Sequence, residues 1–168
     1  VFCSACDYAA NLEKAGAGAG ASRADDVPQA NLLPPAEVHT PDIKSIEEVC
    51  AFLKVSAAQV VKAVIFSADG SPLVVLVRGD EEINPVKLKN HLGCEALDLA
   101  KDEVIREVTG SPRGFAGAIG VKAKVIADHS VAQMVNFVMG ANRADYHLLN
   151  VNLGKDFTVK EFADVRFV

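Results

Sequence analysis

Lys62 stands inside the run Val61-Lys62-Ala63-Val64-Ile65-Phe66, where its neighbours are apolar. An ammonium buried there without a partner is costly. Two readings follow. One is an edge-strand lysine that discourages aggregation, which pattern alone favours because edge charges are common. The other is a fixed positive charge facing a phosphate or a developing oxyanion. With a period of two, Lys62 shares a face with Val64 and Phe66, and that face would carry the ammonium to the rim of an apolar cleft. Further on, Gly114-Phe115-Ala116-Gly117-Ala118-Ile119-Gly120 is a glycine-spaced loop. Such loops let backbone amides converge on an anion or a carbonyl oxygen. The same composition also makes a plain turn.

Histidines occur at 39, 91, 129 and 147. His147, in Asp145-Tyr146-His147-Leu148-Leu149-Asn150, falls where a loop enters a strand. For each single histidine, a surface or hydrogen-bonded structural residue is the commoner reading. Asp128-His129-Ser130 has the residue types of a hydrolytic triad, but triads are recognised in space and not by adjacency. Cys50 falls on the apolar side of a helix, where cysteine behaves as a small hydrophobe. Cys3 and Cys6 form a C-x-x-C; a zinc site needs two more ligands, normally a second close pair, and Cys50 and Cys94 stand alone. The cysteines read as reduced thiols of a cytosolic protein.

These groups must be positioned by interleaved helices and strands. Residues 1–14 read as the end of a strand running into a helix start. Residues 15–36, with alternating Ala-Gly and later Pro34-Pro35, read as a mobile linker. Ser45-Ile46-Glu47-Glu48 fits a capping box, and Ile46, Val49, Cys50 and Leu53 recur at helical spacing. Ser56 to Gln59 offers a weaker cap. A strand over 61–68, the Asp69-Gly70 hairpin signal and a partner strand over 73–77 follow. Asn84-Pro85 opens a helix that Gly93 ends; Lys101 to Val108 is another, closed by Gly110. Strands are expected over 124–127, 146–152 and 162–168. The hairpin argues for antiparallel pairing and against a doubly wound parallel sheet. Neither a dinucleotide fingerprint, a P-loop nor an internal repeat is present.

The 168 residues suffice for one ordinary domain with a core. Hydrophobic residues at 50% and charged residues at 23% fit a soluble globular protein, and no apolar run approaches the ~18 residues of a membrane span. Net charge is −5, which advertises no basic face. If the chain binds RNA, it touches a short end while other domains supply most phosphate contacts. The first residues do not read as a signal peptide. A start at Val1 and a finish at Val168, both in β-type residues, fit a fragment of a longer chain.

Three segments carry a resemblance. Residues 6–14, Cys-Asp-Tyr-Ala-Ala-Asn-Leu-Glu-Lys, resemble the stretch of the bacterial prolyl-tRNA synthetase core just before its insertion. Residues 38–90 resemble the first half of that insertion, through Val38-His39-Thr40-Pro41, Val61-Lys62-Ala63, and Leu76 to Asn84 with Lys87 to Asn90. Residues 112–168 resemble the second half, through Gly114 to Gly117, Val125 to Asp128, Gly140-Ala141-Asn142 and Asp145-Tyr146-His147. Ala163 to Arg166 looks like the return to the core.

The resemblance implies an α/β (mixed α+β) fold, with a mixed, largely antiparallel sheet flanked by helices, of the YbaK-like kind shared with free-standing aminoacyl-tRNA deacylases. It divides the chain into a core fragment (1–14), a linker (15–36) and an editing domain (37–168). It implies hydrolysis of alanine from the acceptor end of mischarged tRNA for proline, in the cytoplasm and without a membrane. Lys62 matches the essential lysine. Ile46 and Val49 match a small apolar pocket, and His147 the histidine that shapes substrate selection. Gly114 and Gly117, with Phe115 and Ala116 between them, match a glycine-rich loop whose terminal proline is here Ala118. No residue is an obvious general base, and a vicinal ribose hydroxyl is implied to help orient water. No metal or cofactor is implied for editing. ATP and magnesium belong to the parent synthetase, implied to be a homodimer. A non-catalytic module that binds an aminoacyl-tRNA end or a protein is the alternative of a different class. A free-standing deacylase is a third, disfavoured by the core-like ends.

Overall fold

The computed structural model of the protein describes residues 31–167. The expected core fragment 1–14, the Cys3/Cys6 pair, linker residues 15–30 and Val168 lie outside the described residues. From Ala36, the last residue of the expected linker, the chain runs β1 (Ala36–His39), α1 (Ile46–Leu53), β2 (Val61–Ala68), β3 (Ser71–Arg78), α2 (Pro85–Leu92), β4 (Leu97–Leu99), α3 (Asp102–Thr109), β5 (Lys124–Asp128), β6 (Phe137–Gly140), β7 (Tyr146–Val151) and β8 (Glu161–Ala163). Ahead of β1, the Leu33 amide donates to Asn136 Oδ1 at 2.9 Å and its carbonyl accepts from Lys155 Nζ at 2.9 Å.

The strands form two sheets instead of one. The larger has the order β4-β2-β3-β5-β8, and the smaller β1-β7-β6. β2–β3, β2–β4, β1–β7 and β6–β7 are antiparallel, whereas β3–β5 and β5–β8 are parallel. A single parallel bridge, Val60 to Val138, joins the start of β2 to β6. The fold is therefore mixed and largely antiparallel.

Local chemistry explains most element boundaries. Ser45 accepts the Glu48 amide while the Glu48 carboxylate accepts the Ser45 amide, so the expected capping box is formed. Asn84 caps α2 by accepting from Val86 and Lys87, with Pro85 at its first position and Gly93 at its left-handed end. The Asp69-Gly70 turn has φ of 47° and 82°, the doubly left-handed turn that matches strand twist. Asp69 also ties this turn to the entry of β4. Its carboxylate accepts from the Glu95 and Ala96 amides at 3.0 and 2.7 Å.

β3 is the centre of the core. Val74 and Leu76 face one hydrophobic cluster, with Val61, Ile65, Ile105 and Met139. Leu73, Val75 and Val77 face the other, with Phe66, Leu88 and Ile126. A strand buried on both faces reads as a continuous apolar run, which is the Leu73 to Val77 sequence. The final strand is shorter than the expected 162–168. After Ala163 the chain turns to Asp128, whose carboxylate accepts from the Val165 amide at 3.0 Å and from the Arg166 guanidinium.

The Asp69 tie generates a stability prediction. Asp69→Ala removes both acceptors and places alanine at positive φ, so unfolding free energy should fall by about 1–3 kcal/mol. Asp69→Asn, which tolerates that conformation and keeps one acceptor oxygen, should lose less. Urea melts should show a lower midpoint at unchanged slope; an alanine variant melting like the wild type would mean the tie contributes nothing.

Candidate active site

α1 lies over the end of β2 with Ile46 and Val49 one turn apart on the same face. Val49 packs with Val60 and Val138 in a small cluster that Ile46 flanks. This cluster forms one wall of a cleft of about 240 Å³, lined also by Val61, Lys62, Ala63, Gly114, Ala116, Gly140 and His147. Six of the nine sequence-predicted residues thus meet at one place: Ile46, Val49, Lys62, Gly114, Ala116 and His147.

β2 lies between β4 and β3 in the sheet order, but β4 pairs only with Phe66 to Ala68, so Lys62 itself pairs with Val77 of β3 alone. Its side chain is 16% exposed and its ammonium lies 2.7 Å from Glu82 Oε1, on a side chain that is 79% exposed. A pair with so exposed a partner is worth only ~0–1 kcal/mol.

His147 is buried, at 4% exposure. Its Nδ1 is 2.7 Å from the hydroxyl of Thr40, which is itself fully buried. The Phe115 ring lies against the imidazole, with centroids 5.6 Å apart. Burial pushes the histidine below its ordinary value near 6.5, so the cleft is walled by a neutral imidazole at neutral pH. The neutral ring is a stabilising feature above about pH 6.5. That contribution is lost as the pH falls through the lowered folded-state value, because the unfolded chain then binds the proton more readily.

Residues 40–157 match the aminoacyl-tRNA editing domain family. The chain belongs to that family. The chain is also 54% identical over 167 residues to the proline--tRNA ligase of Syntrophus aciditrophicus (strain SB), covering 99% of this chain and 28% of that protein. It is 52% identical over 170 residues to the proline--tRNA ligase of Geobacter sp. (strain M21), covering 100% of this chain and 29% of that protein. The chain thus spans under a third of the length of these relatives. A solved structure described as a candidate trans-editing enzyme for prolyl tRNA synthetase shares the fold, with a TM-score of 0.65 at 18% identity over 80% of this chain and 87% of that one.

Within the editing domain the three remaining predicted residues do not line the cleft. Phe115 is buried beneath His147. Gly117 faces Gly140 so closely that a Cβ on it would collide with the Gly140 carbonyl oxygen. Its amide donates to Asn142 Oδ1 at 2.6 Å, so this amide is committed to holding the loop. Ala118 is part of the core. Gly114 has φ of 97°, and a Cβ there would meet Lys44 Cβ at 2.7 Å; this glycine lets the loop press against the entry of α1.

The triad types separate. Ser130 Oγ donates to Glu81 at 2.6 Å, the Asp128 carboxylate is taken by Arg166, Val165 and Ser130 backbone, and His129 stacks on Phe162. Cys50 is partly buried in the α1 cluster, and burial pushes its thiol up, away from nucleophilic use.

Thr40, Gly140 and Asn142 were overlooked as site residues. Their partners lie 23 to 107 positions away, so no local spacing could reveal them.

Thr40→Val keeps the shape but leaves His147 Nδ1 without its partner. It should destabilise the fold by about 1–3 kcal/mol, the cost of an orphaned buried polar atom. Nitrogen-detected NMR should show one neutral tautomer for His147 in the wild type at pH 7 and a mixture in the variant. An unchanged tautomer in Thr40→Val would remove Thr40 from any role in orienting the ring.

Proposed function

We propose that this editing domain hydrolyses the ester joining alanine to tRNA for proline and spares the prolyl ester. The observation that carries this reading is the cleft itself: about 240 Å³, apolar on Ile46, Val49, Val60 and Val61, with an ammonium and a buried imidazole in its walls. A synthetic site built for proline cannot strongly reject the smaller alanine, since a missing methylene is worth only ~1–3 kcal/mol. A second, smaller site that destroys the error answers that limit.

The step is attack of a water oxygen on the ester carbonyl carbon. The bond to the ribose oxygen then breaks, and that oxygen leaves with a proton. Lys62 suits the developing oxyanion or a substrate phosphate, because Glu82 releases it at little cost. Ile46 and Val49 take the methyl group, and His147 narrows the space left for a pyrrolidine ring. Gly114 keeps the loop close enough for the terminal ribose to approach. Glu48 is an unsuitable base: hydrogen bonds from the Ser45 and Lys44 amides hold its carboxyl below the usual range. A vicinal ribose hydroxyl is the group left to orient water. We place the chain in a cytoplasmic, homodimeric proline–tRNA ligase, whose other domains would activate proline with ATP and magnesium.

The commitment of the Gly117 amide to Asn142 favours a second reading, a module that binds an aminoacyl end without cleaving it. Deacylation of alanyl- and prolyl-tRNA separates the two. The wild type should cleave the alanyl ester selectively; cleavage of neither, with tRNA still bound, would establish the binding module. Lys62→Ala should cut turnover by at least ~10²-fold with an unchanged thermal melt. Lys62→Arg should rescue little, since a planar fork does not replace a compact ammonium. Near-normal turnover in Lys62→Ala would overturn the assignment of the lysine. In His147→Ala the ratio of alanyl to prolyl cleavage should fall; an equal drop in both rates would give the histidine a general role instead.

A further inference from the structure

We infer that the hollow adjoining the cleft binds the terminal nucleotides of the acceptor strand, with Lys44 and Arg106 on their phosphates. The inference rests on reading the cleft as the aminoacyl pocket. An amino acid esterified to a ribose cannot enter the cleft unless the nucleotide lies against a wall continuous with it. The hollow supplies that wall. Lys44, Ser45 and Gly114 line both spaces, and the hollow, at about 490 Å³, is the larger.

Its charges are unevenly committed. Arg113 lies 3.1 Å from Asp102. Glu48 is taken by the α1 cap. None of the ion pairs among the described residues uses Lys44 or Arg106. The Glu48 carboxylate acts on Lys44 electrostatically, but neither cation is held in an ion pair, so both can turn to an anion, in a chain whose net charge is −5. Asp42, also in this hollow, adds an acceptor for a ribose hydroxyl. The hollow containing Arg78 and Arg166 shares no residue with the cleft. Its arginines are already paired, Arg78 with Asp80 and Glu81, Arg166 with Glu81 and Asp128.

The test uses the whole chain and the trinucleotide CCA without an amino acid, with adenosine as the phosphate-free control. Amide shifts in NMR titration should centre on Lys44, Ser45, Arg106 and Gly114. Combined Lys44→Ala and Arg106→Gln should weaken CCA binding about tenfold or more and flatten its salt dependence by a slope of about 1.4, for two contacts on a single strand. Adenosine should lose much less. Shifts centred on Arg78 and Arg166, no saturable shifts, or an equal loss for adenosine would each overturn the proposal. The wild-type shift map stands even if the double variant misfolds. Shifts at this hollow without ester hydrolysis would sink the proposed activity and keep the subsite; hydrolysis with shifts elsewhere would do the reverse.

Discussion

The contact on which the site depends is the approach of the glycine loop to the end of β6. Gly117 and Gly140 meet backbone to backbone, and a Cβ on either would overlap a carbonyl oxygen of the other segment. Asn142 then fixes the loop in place. It accepts from the Gly117 amide, donates its side-chain amide to the Ile119 carbonyl at 2.7 Å and its backbone amide to the Phe115 carbonyl at 2.9 Å. With the loop held there, Phe115 lies under His147 and Gly114 against Lys44. Loosening this one approach would move two walls of the cleft at once, because loop and strand are packed without slack.

Charge commitment separates the structural groups from the available ones. Asp128 is fully buried and fully used, by Arg166 and two backbone amides. Removing one partner of such a group costs about 3–5 kcal/mol, so its place is in the framework. Lys87 is similar: it bridges Asp164 and the Arg166 carbonyl at 3.0 and 2.9 Å. Lys62 differs, since the carboxylate it is ion-paired with stands in solvent. A cation already held by a buried network has little left for a ligand, whereas one loosely paired at the mouth of an apolar cleft can change partners.

Features encoded within a few residues were legible in the sequence. The Ser45 capping box, the helix start at Asn84-Pro85, the Asp69-Gly70 turn and the partner strand over Leu73 to Val77 all appear as read. β1, β4 and β6 were not legible. Each has three or four residues, and each is defined by a distant partner: Val38 pairs with His147, and Leu97 with Ala68. The last strand was overread because Val165 to Phe167 look like its continuation, yet their backbone pairs with Glu82 to Asn84 instead, while Asp128 accepts from Val165 and Arg166. For the site, Ile46, Val49, Lys62 and His147 were placed by resemblance, and the structure brings them together. The resemblance included Thr40 and Asn142 in its runs but gave them no role: Thr40 stands behind His147, and Asn142 behind the loop.

Under the proposed function, size selection makes those supports more than scaffolding. Attraction alone discriminates poorly between alanine and proline, because each methylene in an apolar pocket is worth only ~1–3 kcal/mol and would favour the larger group. A site that accepts the smaller amino acid must therefore work by exclusion, and exclusion requires walls that do not yield. Val49 and Val60 are fully packed against Val138, so the α1 wall cannot retreat without opening a void. On the opposite wall, His147 rests on Phe115 and is held at Nδ1 by Thr40. A charged imidazole there would draw water into the cleft and loosen this wall, and burial opposes that charge. The same burial that keeps the histidine neutral keeps it rigid, and in this reading rigidity is what turns a small cavity into a selective one.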